Sequence, residues 1–238
     1  MTVLFNLQQV SVRYGQVYAL HSLDLLVLQG QRLALIGANG SGKSTLLRVL
    51  SGLVTKELSG QIAVQKDVRL AMLFQRPHML RMTVLSNVAM GLWLKSVAWA
   101  AAKTRALEAL ERVGLQAEAA RPAKALSMGQ QQRVAFARAL AQQPNVLLLD
   151  EPTASMDPHA KREVEALMQV FASSQNEANM TLIFASHNLG QVKRLATHVA
   201  YLEHGKLLAY LPVGDFFNAE KLRSISPAAD AFLKGETI

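Results

Sequence analysis

The stretch Gly37-Ala38-Asn39-Gly40-Ser41-Gly42-Lys43-Ser44 constrains this chain more than any other. It has the form G-x-x-x-x-G-K-[ST], and it stands between the apolar run Arg32–Ile36 and a helical pattern from Lys43 to Leu53. Strand, glycine-rich turn and helix in that order make a cradle for a polyphosphate. Glycine permits the turn and lets successive backbone N–H groups face the anion with no Cβ in the way. The following helix presents its partial positive end. Lys43 can reach the β- and γ-phosphates, and the Ser44 hydroxyl can ligate Mg²⁺. The spacing predicts an α/β chain that binds nucleoside triphosphate.

A second acidic signal fits the first. Val146-Leu147-Leu148-Leu149-Asp150-Glu151 ends a buried-type apolar strand on two carboxylates. In an α/β sheet that end of a strand is where ligands collect. One carboxylate can hold Mg²⁺ and the other can polarise an attacking water.

The rest of the chain supports a mixed core with an insertion. Val10–Tyr14 and Leu25–Leu28 alternate with period two and read as strands. Residues 76–142 read as mostly helical, with periodic stretches at Ala98–Val113 and Gly129–Ala141. Strand and helix then alternate again. Thr181–Ala185 is a buried-type strand, a helix is expected near His159–Ser173, and Val199–Leu202 and Lys206–Tyr210 flank a hairpin turn at Glu203-His204-Gly205. The expected organisation is one domain over 1–238, its α/β core and β subdomain in 1–75 and 141–238 and its helical subdomain in 76–140.

Composition excludes several classes. Half of the 238 residues are hydrophobic and only 18% are charged, so a large core is available and general disorder is excluded. No cysteine is present, so neither disulfides nor thiolate metal sites can form. The start, Met1 to Asn6, lacks the pattern of a signal peptide, and the apolar region Val84–Ala102 is broken by Asn87 and Lys95. The expectation is a soluble protein. The net charge of +8 is concentrated: residues 76–140 carry ten Lys/Arg against three Asp/Glu. Such a segment fits an anionic partner such as nucleic acid, lipid headgroups or a nucleotide, or an ordinary solvated basic surface.

Leu126-Ser127-Met128-Gly129-Gln130-Gln131-Gln132-Arg133, about 20 residues before the acidic strand, resembles the LSGGQ signature of ATP-binding cassette proteins. Other marks of that family follow in order: Tyr14 at the adenine-stacking position, Gln75 in the Q-loop, Ser155-Met156-Asp157 in the D-loop and His187 at the switch position. Met128 stands where the signature has its first glycine. By residue type alone, Tyr14 fits a strand's core face better than a base-stacking role, Gln75 fits a plain surface, and His187 fits a strand end; their roles come from the resemblance.

The resemblance implies a P-loop ATPase core with an antiparallel β subdomain and an inserted helical subdomain. It implies ATP and Mg²⁺, held by Tyr14, Gly37, Asn39, Gly40, Ser41, Gly42, Lys43, Ser44, Thr45, Gln75 and Asp150, the metal by Ser44, Gln75 and Asp150. Glu151 would activate water and His187 would assist it. Two subunits would close head to tail, bringing Ser127, Gly129, Gln130 and Asp157 to the partner's nucleotide. It further implies integral membrane permease subunits, an extracytoplasmic oxyanion-binding protein as an indirect partner, a peripheral position on the cytoplasmic side of the membrane, and no nucleic acid.

The segments Gln75–Val88, Ser186–Ala196 and Ser226–Glu236 are similar to importers of tungstate and related oxyanions. Molybdate, phosphate and polar amino acids are the alternative cargoes. Met72, Met79, Met82 and Met90 fit either a groove that grips a permease helix or ordinary core filling. The alternative of another class is a soluble cassette acting on nucleic acid; the double cassettes or long coiled-coil insertions of such proteins do not fit in 238 residues.

Overall fold

The computed structural model describes residues 2–154, 156–173 and 180–236. Two sheets share the work. Strands β1 (Val3–Tyr14) and β2 (Val17–Leu28) form a long hairpin through Gly15-Gln16, and β4 (Leu58–Val64) pairs antiparallel with the other side of β1. The second sheet has six strands in the order β5 (Leu70–Leu73), β6 (Val146–Asp150), β7 (Thr181–Ala185), β3 (Arg32–Ile36), β8 (His198–Glu203) and β9 (Lys206–Pro212). It is parallel except at β9, which returns antiparallel from β8.

Apart from Arg32, Asp150 and Thr181 at their ends, β3, β6 and β7 are apolar, because both faces of their sheet are covered. Every residue of β6 and β7 is buried. Their side chains alternate between two cores. Leu33, Leu35, Leu148 and Ile183 pack with α1 (Lys43–Leu50) and the antiparallel sheet. Ala34, Ile36, Leu149 and Phe184 face the other way, where α4 (Met128–Leu140) and α5 (Pro158–Ser173) contribute Val134, Phe136, Val164 and Met168. Fully burying a side chain of this size contributes about 1.5–3 kcal/mol.

Between β5 and β6 lie α2 (Val84–Trp93), α3 (Trp99–Arg112) and α4, packed on one another. Asn87, which breaks the apolar pattern in sequence, is a buried staple. Its Oδ1 accepts from Leu80 N–H at 2.9 Å and from Arg138 at 3.0 Å, and its amide donates to three carbonyls of the segment 80–83. Met79 is buried and only Met82 of the four methionines is exposed, so core filling accounts for much of that cluster. Past β7, α6 (Leu189–Leu195) leads into β8, and α7 (Val213–Phe216), α8 (Ala219–Ile225) and α9 (Pro227–Lys234) end the chain. Among the described residues no helix is long and apolar enough to cross a membrane.

Two expectations change in detail, and one strand is new. The first helix stops at Leu50 rather than Leu53, closed by Ser51 and by Gly52 at φ 75°, which leaves Leu53 exposed. The first two strands are longer than their apolar patterns, because their outer faces are polar and solvated. Leu58–Val64 is a strand although its side chains are mostly exposed, held by backbone pairing to β1.

Candidate nucleotide site

The loop Gly37–Ser44 joins β3 to α1 at the carboxyl end of the sheet. Two of its glycines are demanded by close packing. A Cβ on Gly37 would run into the Leu202 carbonyl, and one on Gly42 would lie 2.6 Å from Ala19 O; both backbones also sit at φ above 100°. Gly205, in the β8–β9 turn, clasps the loop from outside. Its N–H donates to Ser41 O at 3.1 Å, and its carbonyl accepts from His21 N–H at 2.8 Å. The loop is thus pinned between the hairpin turn and β2.

The start of α1 differs from those of α2, α4 and α6. Thr83, Ser127 and Asn188 cap α2, α4 and α6 with side-chain oxygens. No side chain caps α1, and its first turn holds no acid. Its positive end therefore stays open to an anionic ligand. Lys43 lies across the loop, its Nζ donating to Gly37 O and Ala38 O, each at 2.9 Å. Burial pushes its pKa down, more than nearby Glu151 and Asp150 pull it up. A desolvated cation short of a strong counter-ion suits a phosphate.

Ser44 Oγ donates to Asp150 Oδ1 at 2.9 Å, joining the loop to the end of β6. Burial raises the Asp150 pKa, with the Ser44 hydrogen bond opposing. Glu151, one residue on, adopts φ 46°. That left-handed backbone costs a β-region residue of order 1–3 kcal/mol. It turns Glu151 into the cleft, and its Oε2 lies 3.3 Å from His187 Nδ1. His187 follows β7, the next strand over, and is exposed.

A cleft of about 500 Å³ runs over the phosphate loop to Glu151; Gly37, Asp150 and His187 stand outside its lining. Its walls include Tyr14, Asn39, Gly40, Ser41, Gly42, Lys43, Ser44, Thr45, Gln75 and Glu151. Tyr14 ends β1 and is 43% exposed, so it is free to stack and is not a core aromatic. Tyr18, just past the hairpin turn, lines the same cleft, and Arg13 covers its ring at 5.4 Å. Sequence reasoning missed Tyr18. Alternation puts it on the face of the buried Leu20, and the register shift between Leu20, paired with Val12, and Tyr18, paired with Arg13, breaks that pattern.

Ser44 and Gln75 line the cleft with hard oxygen donors, and the buried Asp150 carboxylate reaches it through its hydrogen bond from the Ser44 hydroxyl. That chemistry fits Mg²⁺. Among the described residues no three His, Cys, Asp or Glu side chains converge, so a cation here would need oxygens from the nucleotide's phosphates to complete its shell.

Ser127, Gly129, Gln130 and Asp157 do not line this cleft. Ser127 and Gln130 form a reciprocal capping box at the start of α4, with Ser127 exposed. Gly129 packs against α5, where a Cβ would lie 2.8 Å from that of Ala160. Met128 points outward, half exposed, so replacing the first signature glycine disturbs no packing in the single chain. Asp157 caps α5, accepting from His159 and Ala160 N–H groups, which hold its pKa down. Ser155 lies outside the described residues.

A family model described as ABC transporter matches residues 20–154. The chain is 39% identical to the nickel import ATP-binding protein NikO of Rhodobacter capsulatus, over 90% of this chain and 91% of that one. It is 37% identical to the phosphonates import ATP-binding protein PhnC of Frankia casuarinae, over 91% and 93%. Its structure resembles the dimeric, post-hydrolysis ATP-binding cassette MJ0796 bound to ADP and Pi, with a TM-score of 0.77 and 27% identity over 88% of this chain and 98% of that one.

Proposed function

Because this chain belongs to the ABC transporter family, whose members couple ATP hydrolysis to transport, we propose that it is the ATPase subunit of a membrane importer and that its cargo is tungstate. The observation that carries the ATPase reading is the single cleft joining the phosphate loop, Glu151 and, 3.3 Å beyond it, His187. The import direction is favoured by the relatives, both named for import.

In this reading the uncapped start of α1 and Lys43 hold the β- and γ-phosphates, and Tyr14 stacks on the base. Ser44, Asp150 and Gln75 would hold Mg²⁺, which when bound neutralises phosphate charge. Glu151 orients the attacking water and takes its proton; His187 steadies Glu151 and the γ-phosphate side of the cleft. Ser127, Gly129, Gln130 and Asp157 act on the nucleotide of a second copy, closed head to tail. Their place outside the chain's own cleft supports that assignment, as does the likeness to a dimeric cassette. The chain then sits at the inner face of the membrane against permease subunits, served by an oxyanion-binding protein outside. Its basic 76–140 segment faces anionic lipid there. Tyr14→Ala should weaken binding of a fluorescent ATP analogue by roughly five- to a hundredfold, the worth of one base–aromatic stack. Unchanged affinity would hand the base to Tyr18.

The relatives differ in cargo, a nickel import protein standing at 39% identity and a phosphonates import protein at 37%. A cassette meets the cargo only through its permease. Tungstate rests on the three segments Gln75–Val88, Ser186–Ala196 and Ser226–Glu236. Deleting the gene should abolish high-affinity tungstate uptake while phosphate and amino-acid uptake persist, and a Lys43→Ala copy should not restore it. Normal tungstate accumulation together with loss of another solute would replace the cargo and leave the ATPase reading intact.

A further inference from the structure

Behind Glu151 and His187 lies a buried polar network that none of the roles above uses. Gln191, on α6, is fully buried. Its Oε1 accepts from Ser186 Oγ at 2.7 Å, and its Nε2 donates to Thr153 Oγ1 and to Glu165 Oε1, each at 3.2 Å. Glu165, on α5, is paired in turn with Arg194 at 2.5 Å. Ser186 Oγ also accepts Asn188 N–H at 3.0 Å.

One charge sets the direction of every bond. A carboxylate only accepts, so the Gln191 end facing Glu165 must be the NH₂ group. Oε1 is then left for Ser186, whose hydroxyl must donate to it and accept from Asn188. The amide's two hydrogens are both used, one on each of two elements.

The positions of the partners carry the inference. Thr153 lies two residues after Glu151, in a turn closed by Ala154 N–H donating to Glu151 O at 3.0 Å. Ser186 immediately precedes His187. Glu151 itself holds a left-handed backbone, which persists only where the surroundings enforce it. We propose that Gln191 is a positioning residue, which ties the Glu151 turn to the His187 loop and holds the two side chains at their working separation. The proposal rests on the reading of Glu151 and His187 as the hydrolytic pair.

The test uses the purified full chain and six variants, read as kcat, KM for ATP, affinity for a fluorescent ATP analogue and thermal midpoint. Gln191→Leu keeps the bulk and removes all three bonds; kcat should fall by about ten- to a hundredfold, the cost of a small misplacement, with nucleotide affinity unchanged. Gln191→Glu sets a second carboxylate against Glu165 and should lose as much. Adding Glu165→Gln to Gln191→Glu exchanges amide and carboxylate: Ser186 and Thr153 hydroxyls and the new amide can all donate to residue 191, so kcat should return. If Gln191→Leu does not fold, Thr153→Val decides, because it cuts only the tie to the Glu151 turn; its kcat should fall while Thr153→Ser keeps the parental value. Parental kcat in folded Gln191→Leu, or in Thr153→Val, overturns the proposal. A Glu151→Gln control separates the two levels. If that variant hydrolyses ATP normally, the hydrolytic pair is wrong; if it is inactive while the network variants are normal, only the tie is wrong.

Discussion

Glu151→Gln should bind ATP with nearly parental affinity and hydrolyse it about 10²–10⁴-fold more slowly, the usual loss when one general base is removed. The substitution keeps the size of the side chain and its backbone position while removing the capacity to take a proton. It also lowers the negative charge beside the phosphates, so ATP should if anything be held longer. The measurements are phosphate release under saturating ATP and the elution volume with ATP present, where a stable ATP-bound dimer should accumulate. Turnover near the parental rate would remove Glu151 from this role and return attention to Asp150 or His187.

Lys43→Met should act at the earlier step, binding. Hydrogen bonds to a charged partner are worth about 1.5–3 kcal/mol each, so losing the lysine's contact to phosphate should raise the ATP dissociation constant by roughly ten- to a hundredfold. The fold should not suffer. Burial already pushes the lysine pKa down, which means its charge is disfavoured in the unliganded chain. The thermal midpoint without nucleotide should therefore stay level or rise, while the stabilisation normally added by millimolar ATP should disappear. A midpoint that collapses without nucleotide would show that the bonds from Lys43 to Gly37 O and Ala38 O hold the loop together rather than merely parking the side chain.

The phosphate site was legible in sequence because its chemistry is local. Gly37 to Ser44 supply turn, helix start, cation and hydroxyl within eight residues, and strand and helix flank them. Glu151 was legible for a related reason: a buried strand ending in acid carries its own context. Tyr18 was not, since its place in the cleft depends on the hairpin turn at Gly15-Gln16 and on β2 lying against the loop through Ala19. Leu58–Val64 was missed because an edge strand stabilised by backbone pairing needs no apolar pattern. Asn87 looked like an interruption because its three nearby partners, Leu80, Met82 and Thr83, precede α2, and Arg138, the fourth, is 51 residues away. The Gln191 network was invisible for the same reason. Its members Thr153, Glu165, Ser186 and Gln191 come from two helices, a turn and a loop, and each taken alone is an ordinary polar residue.

The order of the six-stranded sheet also bears on how the chain is made. β3 is followed directly by the phosphate loop, yet its two neighbours in the sheet are β7 and β8, which end at Ala185 and Glu203. While a ribosome is still adding the helical segment, the β1–β2 hairpin can already close on itself, whereas β3 is an apolar strand with both edges bare. Bare apolar edges invite pairing with other chains. The nascent protein therefore carries an aggregation-prone segment until β7 and β8 have been made, and the sheet that positions its nucleotide site can close only after them. ATP bound before that point would meet a phosphate loop whose strand still lacks both neighbours.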